Sequence, residues 1–268
     1  MSVQFEQSSG DHLETPAALF SLDSDFTIAC WIKTGAALNL YGMIAGQPAN
    51  SQFVLGIKAD GTLFLIVEND SGWQFPSADA VPPGLWTHVA GTYDDAADEV
   101  RLYINGVLDY DSPRACATVM SEQANAVHLA GGGSGLAIPG FDGHVADLAI
   151  WDRALDAQDI HSLAGGRLVA GFASAGLAAW WPLDVPGDSI FDEAVAAGDR
   201  GLQDHTGRGN SLDAVVVGDP DWRVDSPGLH WPARPHSVPF VPSAGAPTTR
   251  RVSLGAIFID TTNAVLVG

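Results

Sequence analysis

Lysine is almost missing from this chain, with 2 in 268 residues against 10 arginines, and glutamate (6) and methionine (3) are scarce too. With these strong helix formers so few, an extensively helical fold is excluded. Two cysteines, Cys30 and Cys116, cannot build a disulfide framework and are expected as buried thiols. No apolar run reaches the roughly 18 residues that a membrane-spanning helix needs, so no insertion is expected. The start, Met1-Ser-Val-Gln-Phe-Glu6, lacks a basic region followed by an apolar stretch, and no signal peptide is expected. Positive charge is also short: 12 Lys and Arg against 32 Asp and Glu leave a net charge of −20. Such a surface repels phosphates and anionic headgroups, which argues against nucleic-acid and membrane-surface partners.

What remains is turn chemistry around an ample core. The chain has 26 Asp, 30 Gly and 16 Pro, and 46% of its residues are hydrophobic. This predicts an all-β fold with many tight turns. Phe26, Ile28, Cys30 and Ile32 alternate along one run, the period of a half-buried strand. Asp60-Gly61 and Asn105-Gly106 each sit between apolar runs and predict hairpins in which both turn residues have φ > 0. Trp86 to Tyr93 predicts a strand feeding the acidic loop Asp94, Asp95, Asp98 and Glu99, and Phe141 to Trp151 predicts another. Only Asp156 to Leu163 reads as helix, capped by Asp156 and stopped at Gly165-Gly166.

Four segments carry a family resemblance: Phe26-Thr-Ile-Ala-Cys-Trp-Ile-Lys33, Trp86-Thr-His-Val-Ala90, Leu102-Tyr-Ile-Asn-Gly106 and Phe141 to Leu155. In order and spacing they resemble the landmarks of the LamG-like, concanavalin A-like jelly roll over residues 1–165. The resemblance implies a jelly roll of two packed antiparallel sheets, to which the residues themselves add one short helix and an extended C-terminal arm. Where the last landmark often carries two successive acids, this chain has Ala146 then Asp147. Leu177 to Asp184 followed by Asp204 to Asn210 is similar to the segment that opens such a module, and here it is expected to close the same sandwich. The continuation, Asp219-Pro-Asp-Trp-Arg-Val224 and a Pro-rich run, looks like LamG-like proteins of tailed bacteriophages.

The resulting plan is a sandwich over 1–228 (core 1–165, closing segment 166–228), an arm over 229–250 and an apolar tail over 251–268. Six prolines between Pro227 and Pro247 give the arm its extended character. From Val252 onward the only charge is Asp260, and a run so β-prone needs a partner. Leu254, Ile257, Ile259, Val265 and Val267 are the residues expected to contact one, by adding a strand to a neighbour's sheet.

Catalytic patterns are thin. Glycosidases need two carboxylates across a cleft, and related glucanases place theirs on one strand as Glu-x-Asp-x-(x)-Glu. The six glutamates here are scattered, and the densest alternative for such a pair, Asp188 to Glu193, reads as a solvated loop. Gly131 to Gly135 lacks the Gly-Lys-Ser/Thr ending of a phosphate cradle. No His-x-x-x-His or His-Glu-x-x-His spacing occurs, and His88 reads as a satisfied core histidine. No cofactor is expected. Calcium stays open, with candidate donors at Asp94, Asp95, Asp98 and Glu99, or at Asp184, Asp204 and Asn210. Trp73 and Tyr41, in loops, are the candidates for stacking on a sugar ring, while Trp31, Trp86, Trp151 and Trp180 fall on strands and read as core.

These readings point away from an enzyme. The leading expectation is a phage virion surface protein, for capsid decoration or tail association, made in the host cytoplasm and anchored through its C-terminal arm. Its partners would be other virion proteins or copies of itself. The alternative is a carbohydrate-binding or adhesion module that meets a cell-surface glycan with its rim loops.

Overall fold

The computed structural model describes residues 2–15, 22, 24–35, 42–47, 53–67, 74–116, 126–131, 139–166, 175–183, 215–217, 221–223, 227, 249–253, 257–260 and 265–267. Its strands are β1 (Ser2–Phe5), β2 (His12–Glu14), β3 (Phe26–Thr34), β4 (Gly42–Gln47), β5 (Phe53–Ile57), β6 (Thr62–Val67) and β7 (Gln74–Ala80). Then follow β8 (Thr87–Asp94), β9 (Glu99–Ile104), β10 (Val107–Leu108), β11 (Arg114–Ala115), β12 (His128–Leu129) and β13 (Gly143–Trp151). Helix α1 (Ala157–Ala164) precedes β14 (Leu177–Trp181), β15 (Val215–Val217), β16 (Asp221–Arg223), β17 (Thr249–Ser253), β18 (Ile257–Asp260) and β19 (Val265–Val267). The chain divides into two units, Met1–Gly228 and Leu229–Gly268.

The first unit is a two-sheet antiparallel sandwich of the concanavalin A-like kind. One sheet runs β10-β9-β8-β3-β13-β1-β16, with β11 also on β9 and β14 also on β13; the other runs β15-β2-β12-β4-β5-β6-β7. Alternation sorts the side chains. On β5, Phe53, Leu55 and Ile57 join the core between the sheets with Phe26, Ile28, Cys30, Val89, Tyr93 and Trp181. Val54, with Met43, Phe64 and Ile66, forms a separate buried cluster. Because it alternates with those core residues, this cluster lies on the outer face of the seven-stranded sheet.

β3 departs from the half-buried strand that its alternation predicts, because its outer residues are buried as well, with Ala29 at 2% and Trp31 at 7% exposure. The cover is α1 and its approach. Ile160 and Leu163 of the helix cluster with Ala29, Ala90, Tyr103, Trp151 and Trp180. Thr27 Oγ1 donates to the Arg153 carbonyl (2.8 Å) and accepts from the Leu155 amide (2.8 Å), which pins the segment entering the helix onto β3. Asp156 caps α1 as expected, accepting from the Asp159 amide at 2.8 Å.

The two hairpin turns differ from each other. At Asn105-Gly106 both residues have positive φ, 52° and 77°, as expected. At Asp60-Gly61 only the glycine does (85°). There the Gly61 amide donates to the Lys58 carbonyl at 2.9 Å, and Asp60 Oδ1 accepts from the Thr62 amide and hydroxyl at 3.0 and 2.6 Å. The side chain of Asp60 stabilises a turn with a single left-handed residue, of the three-residue kind. Asp109, 3% exposed, links the two sheets' edges: its carboxylate accepts from the amides of Ala78 and Asp79 in β7, and of Asp111.

The second unit holds a three-stranded antiparallel sheet, β17-β18-β19, with pairs such as Arg250–Ile259 and Ile259–Leu266.

Candidate functional site

On β2, Leu13 faces the core, so His12 and Glu14 on either side of it face outward. On β12, Leu129 faces the core and His128 faces outward. The register sets His128 opposite Glu14 on one side and Gly46 of β4 on the other. Three potential ligand side chains thereby converge on the outer face of the seven-stranded sheet, their donor atoms all within 4.8 Å of one another. His12 Nε2 lies 3.4 Å from Glu14 Oε1, and His128 Nε2 lies 3.7 Å from Glu14 Oε2. The two imidazoles are stacked, 5.9 Å apart and 10° from parallel.

His12 Nδ1 is 2.9 Å from the Gly10 carbonyl. A carbonyl oxygen only accepts, so Nδ1 carries the hydrogen, and Nε2 of a neutral ring turns its lone pair toward Glu14. His128 Nδ1 is buried with no hydrogen-bond partner among the described residues. Burial holds the His128 imidazole below its usual range, against the upward pull of Glu14 and with a further push from His12. Gly131 closes this corner: a Cβ there would come within 2.9 Å of His12 Cβ and 3.1 Å of His128 Nδ1.

Toward the middle of the same face the chemistry turns apolar, with Met43, Val54, Phe64 and Ile66. The Phe64 ring lies over Gly56, where a Cβ would be 2.2 Å from it. Each described strand carries at most one carboxylate, so none presents the same-face pair that a strand-borne glycosidase motif requires.

The outer face of the other sheet holds a small cavity beneath α1. It is lined by Trp31, His88, Asp147, Trp151 and Leu163, and its volume is about 10 Å³. That is the lower limit for one water molecule and too little for a sugar ring. Asp147 stands at a bulge in β13 with φ of 53°, and its carboxylate accepts from the Trp180 indole at 2.6 Å. His88 is a core residue, but not the satisfied one expected. Its Nδ1 has no partner among the described residues, and burial lowers its pKa to about 3. The ring packs edge-on against Trp31, which offers no acceptor.

A model of the concanavalin A-like lectin and glucanase superfamily matches residues 7–161, more than half of the chain. The chain belongs to that superfamily. Among solved structures it is similar to a candidate carbohydrate-binding protein from Bacteroides ovatus. That likeness has a TM-score of 0.59 at 17% identity, over 82% of this chain and 60% of the other's length. It is also similar to the heptameric SAP-like pentraxin of Limulus polyphemus (TM-score 0.49, 20% identity, 61% of this chain and 81% of the other). A Trypanosoma rangeli sialidase matches at TM-score 0.42 and 15% identity, over 53% of this chain and 22% of the other. At such identities the likeness is one of fold. Among curated proteins no significant relative is found.

The part matched to the superfamily includes His12, Glu14 and His128, together with the acidic loop proposed for calcium. In that loop three of the four carboxylates already have partners. Arg101 pairs with both Asp94 (3.6 Å) and Glu99, and Asp95 accepts from the Tyr93 hydroxyl at 3.0 Å. Among the described residues, only the His12, Glu14 and His128 group brings three metal-ligating side chains together. Sequence reasoning missed it by seeking histidines at helical spacing. The available signal was His12-x-Glu14, which alternation puts on one face; the third member comes from the register of β12.

Of the expected stacking residues, Trp73 and Tyr41 lie outside the described residues, as do Asp184, Asp204, Asn210, Leu254 and the Asp188 to Glu193 stretch. Ile257 and Ile259 fall on β18, and Val265 and Val267 on β19. Trp31, Trp151 and Trp180 are core as expected. Trp86 instead precedes β8, half-buried and edge-on to His144. The exposed large apolar residues include Leu85, Val107, Leu108 and, at 88%, Tyr110.

Proposed function

We propose that the protein is a non-enzymatic carbohydrate-binding module. The observation that carries this is the make-up of the strands. Its superfamily comprises lectins and glucanases, and here each described strand has at most one carboxylate, while the centre of the outer face, where a cleft would need acids, is the buried apolar set Met43, Val54, Phe64 and Ile66. Binding a sugar needs an aromatic face and a few polar groups; hydrolysing one needs two placed acids. Trp73 and Tyr41 are the proposed platforms, and Tyr110 adds an aromatic face that is open to solvent. The test is a glycan array with the full chain, followed by titration of any hit and an assay for newly released reducing ends. Binding without release is expected, with affinity at least tenfold weaker in Trp73→Ala. Release of sugar, or an array without hits, overturns the reading.

A second reading is a virion surface protein held by its C-terminal part. The separation of Leu229–Gly268 as a unit with its own three-stranded sheet favours it. The outer edges of β17 and β19 would be the places for a neighbour's strand. Cross-linking in purified particles tests this, and recovery of the chain only outside particles overturns it.

A further inference from the structure

The geometry points to a binding site for one divalent transition-metal cation, of the zinc class, formed by His12 Nε2, Glu14 and His128 Nε2 on the outer face of the seven-stranded sheet. Three observations converge on it. Around a tetrahedral zinc with bonds of about 2.0–2.1 Å, neighbouring ligand atoms stand about 3.3–3.4 Å apart. His12 Nε2 and Glu14 Oε1 are 3.4 Å apart, and His128 Nε2 is 3.7 Å from the other carboxylate oxygen, too far for a hydrogen bond and near enough for a shared cation. The Gly10 carbonyl holds the hydrogen of His12 on Nδ1. A backbone acceptor on the far nitrogen is the usual way of orienting a metal-bound imidazole. In the neutral ring this leaves a lone pair facing a carboxylate, an arrangement that either a proton or a metal cation between them relieves.

The donor set selects the metal. Two imidazole nitrogens and one carboxylate suit zinc and its neighbours, whereas calcium requires six to eight oxygens. Three protein donors leave a fourth position for water or an incoming ligand atom. The frame is stiff, because the histidines lie on paired strands and Gly131 fills the corner where a side chain would push His12 aside. The bound ion would clamp β2 to β12, strands that are far apart in the chain. This inference does not depend on the glycan reading.

The test uses the full chain, stripped with a chelator and exchanged into metal-free buffer. Zinc chloride is titrated by calorimetry, and cobalt(II) is added in parallel for its visible absorption. One equivalent should bind, with the intense visible bands of low-coordinate cobalt, and neither calcium nor magnesium should compete. Glu14→Gln and His12→Ala should each weaken zinc binding at least tenfold, whereas His161→Ala, a change on the exposed side of α1, should not. Glu14 is part-exposed, so Glu14→Gln keeps the test decisive even if His12→Ala fails to fold. Absence of binding, zinc affinity unchanged in Glu14→Gln, or displacement by calcium overturns the proposal. Its failure would leave His12 and Glu14 as a simple ion pair.

Discussion

At the scale of single residues, His88 has a measurable consequence. Burial takes its pKa from 6.5 to about 3, so at neutral pH the folded protein holds an uncharged ring. Between those two values the unfolded chain binds a proton that the folded chain refuses. The stabilisation is therefore complete above pH 6.5 and falls as the pH drops, by up to about 1.4 kcal/mol per pH unit. Urea unfolding from pH 7 to pH 4 should show this slope, and His88→Gln should flatten it. His128, depressed in the same direction, adds to the slope. An unchanged slope in His88→Gln would assign the acid sensitivity to other groups. The unpartnered nitrogen of His88 was not legible in the sequence. Its strand and burial were, but whether an acceptor sits opposite depends on Trp31, which only the pairing of β3 with β8 brings to it.

At the scale of elements, local chemistry was readable wherever it acts locally. Asp156 shows this: it caps α1 where expected, and Asp156→Ala should lower stability by about 1 kcal/mol in denaturant titration, with the m-value unchanged. The Asn105-Gly106 turn was equally legible, because its conformation depends on its own two residues. The Asp60-Gly61 turn was not, because a neighbouring side chain, Thr62, shifts the choice of turn. β3 shows the larger limit. Its alternation correctly marks Phe26, Ile28, Cys30 and Ile32 as core, yet the burial of Ala29 and Trp31 depends on a helix more than a hundred residues later. The candidate metal site is legible in the same partial way, with two of its members visible on β2 and the third supplied by register.

At the scale of the whole molecule, the separation at Gly228 gives a direct test. Residues 1–228 contain every strand of the two large sheets. This fragment should keep the main calorimetric transition of the full chain, and light scattering should show any self-association passing with residues 229–268. A transition lowered by more than about 8 °C, equivalent to several kcal/mol at this size, would mean that the second unit completes the first. Strand order has another consequence. The two earliest strands are interior members of their sheets only because the latest ones lie beside them: β1 sits between β13 and β16, and β2 between β12 and β15. A chain emerging from the ribosome therefore leaves β1 and β2 without their outer neighbours until residues 215–223 leave the exit tunnel. The first strands to appear are thus the last to be flanked on both sides.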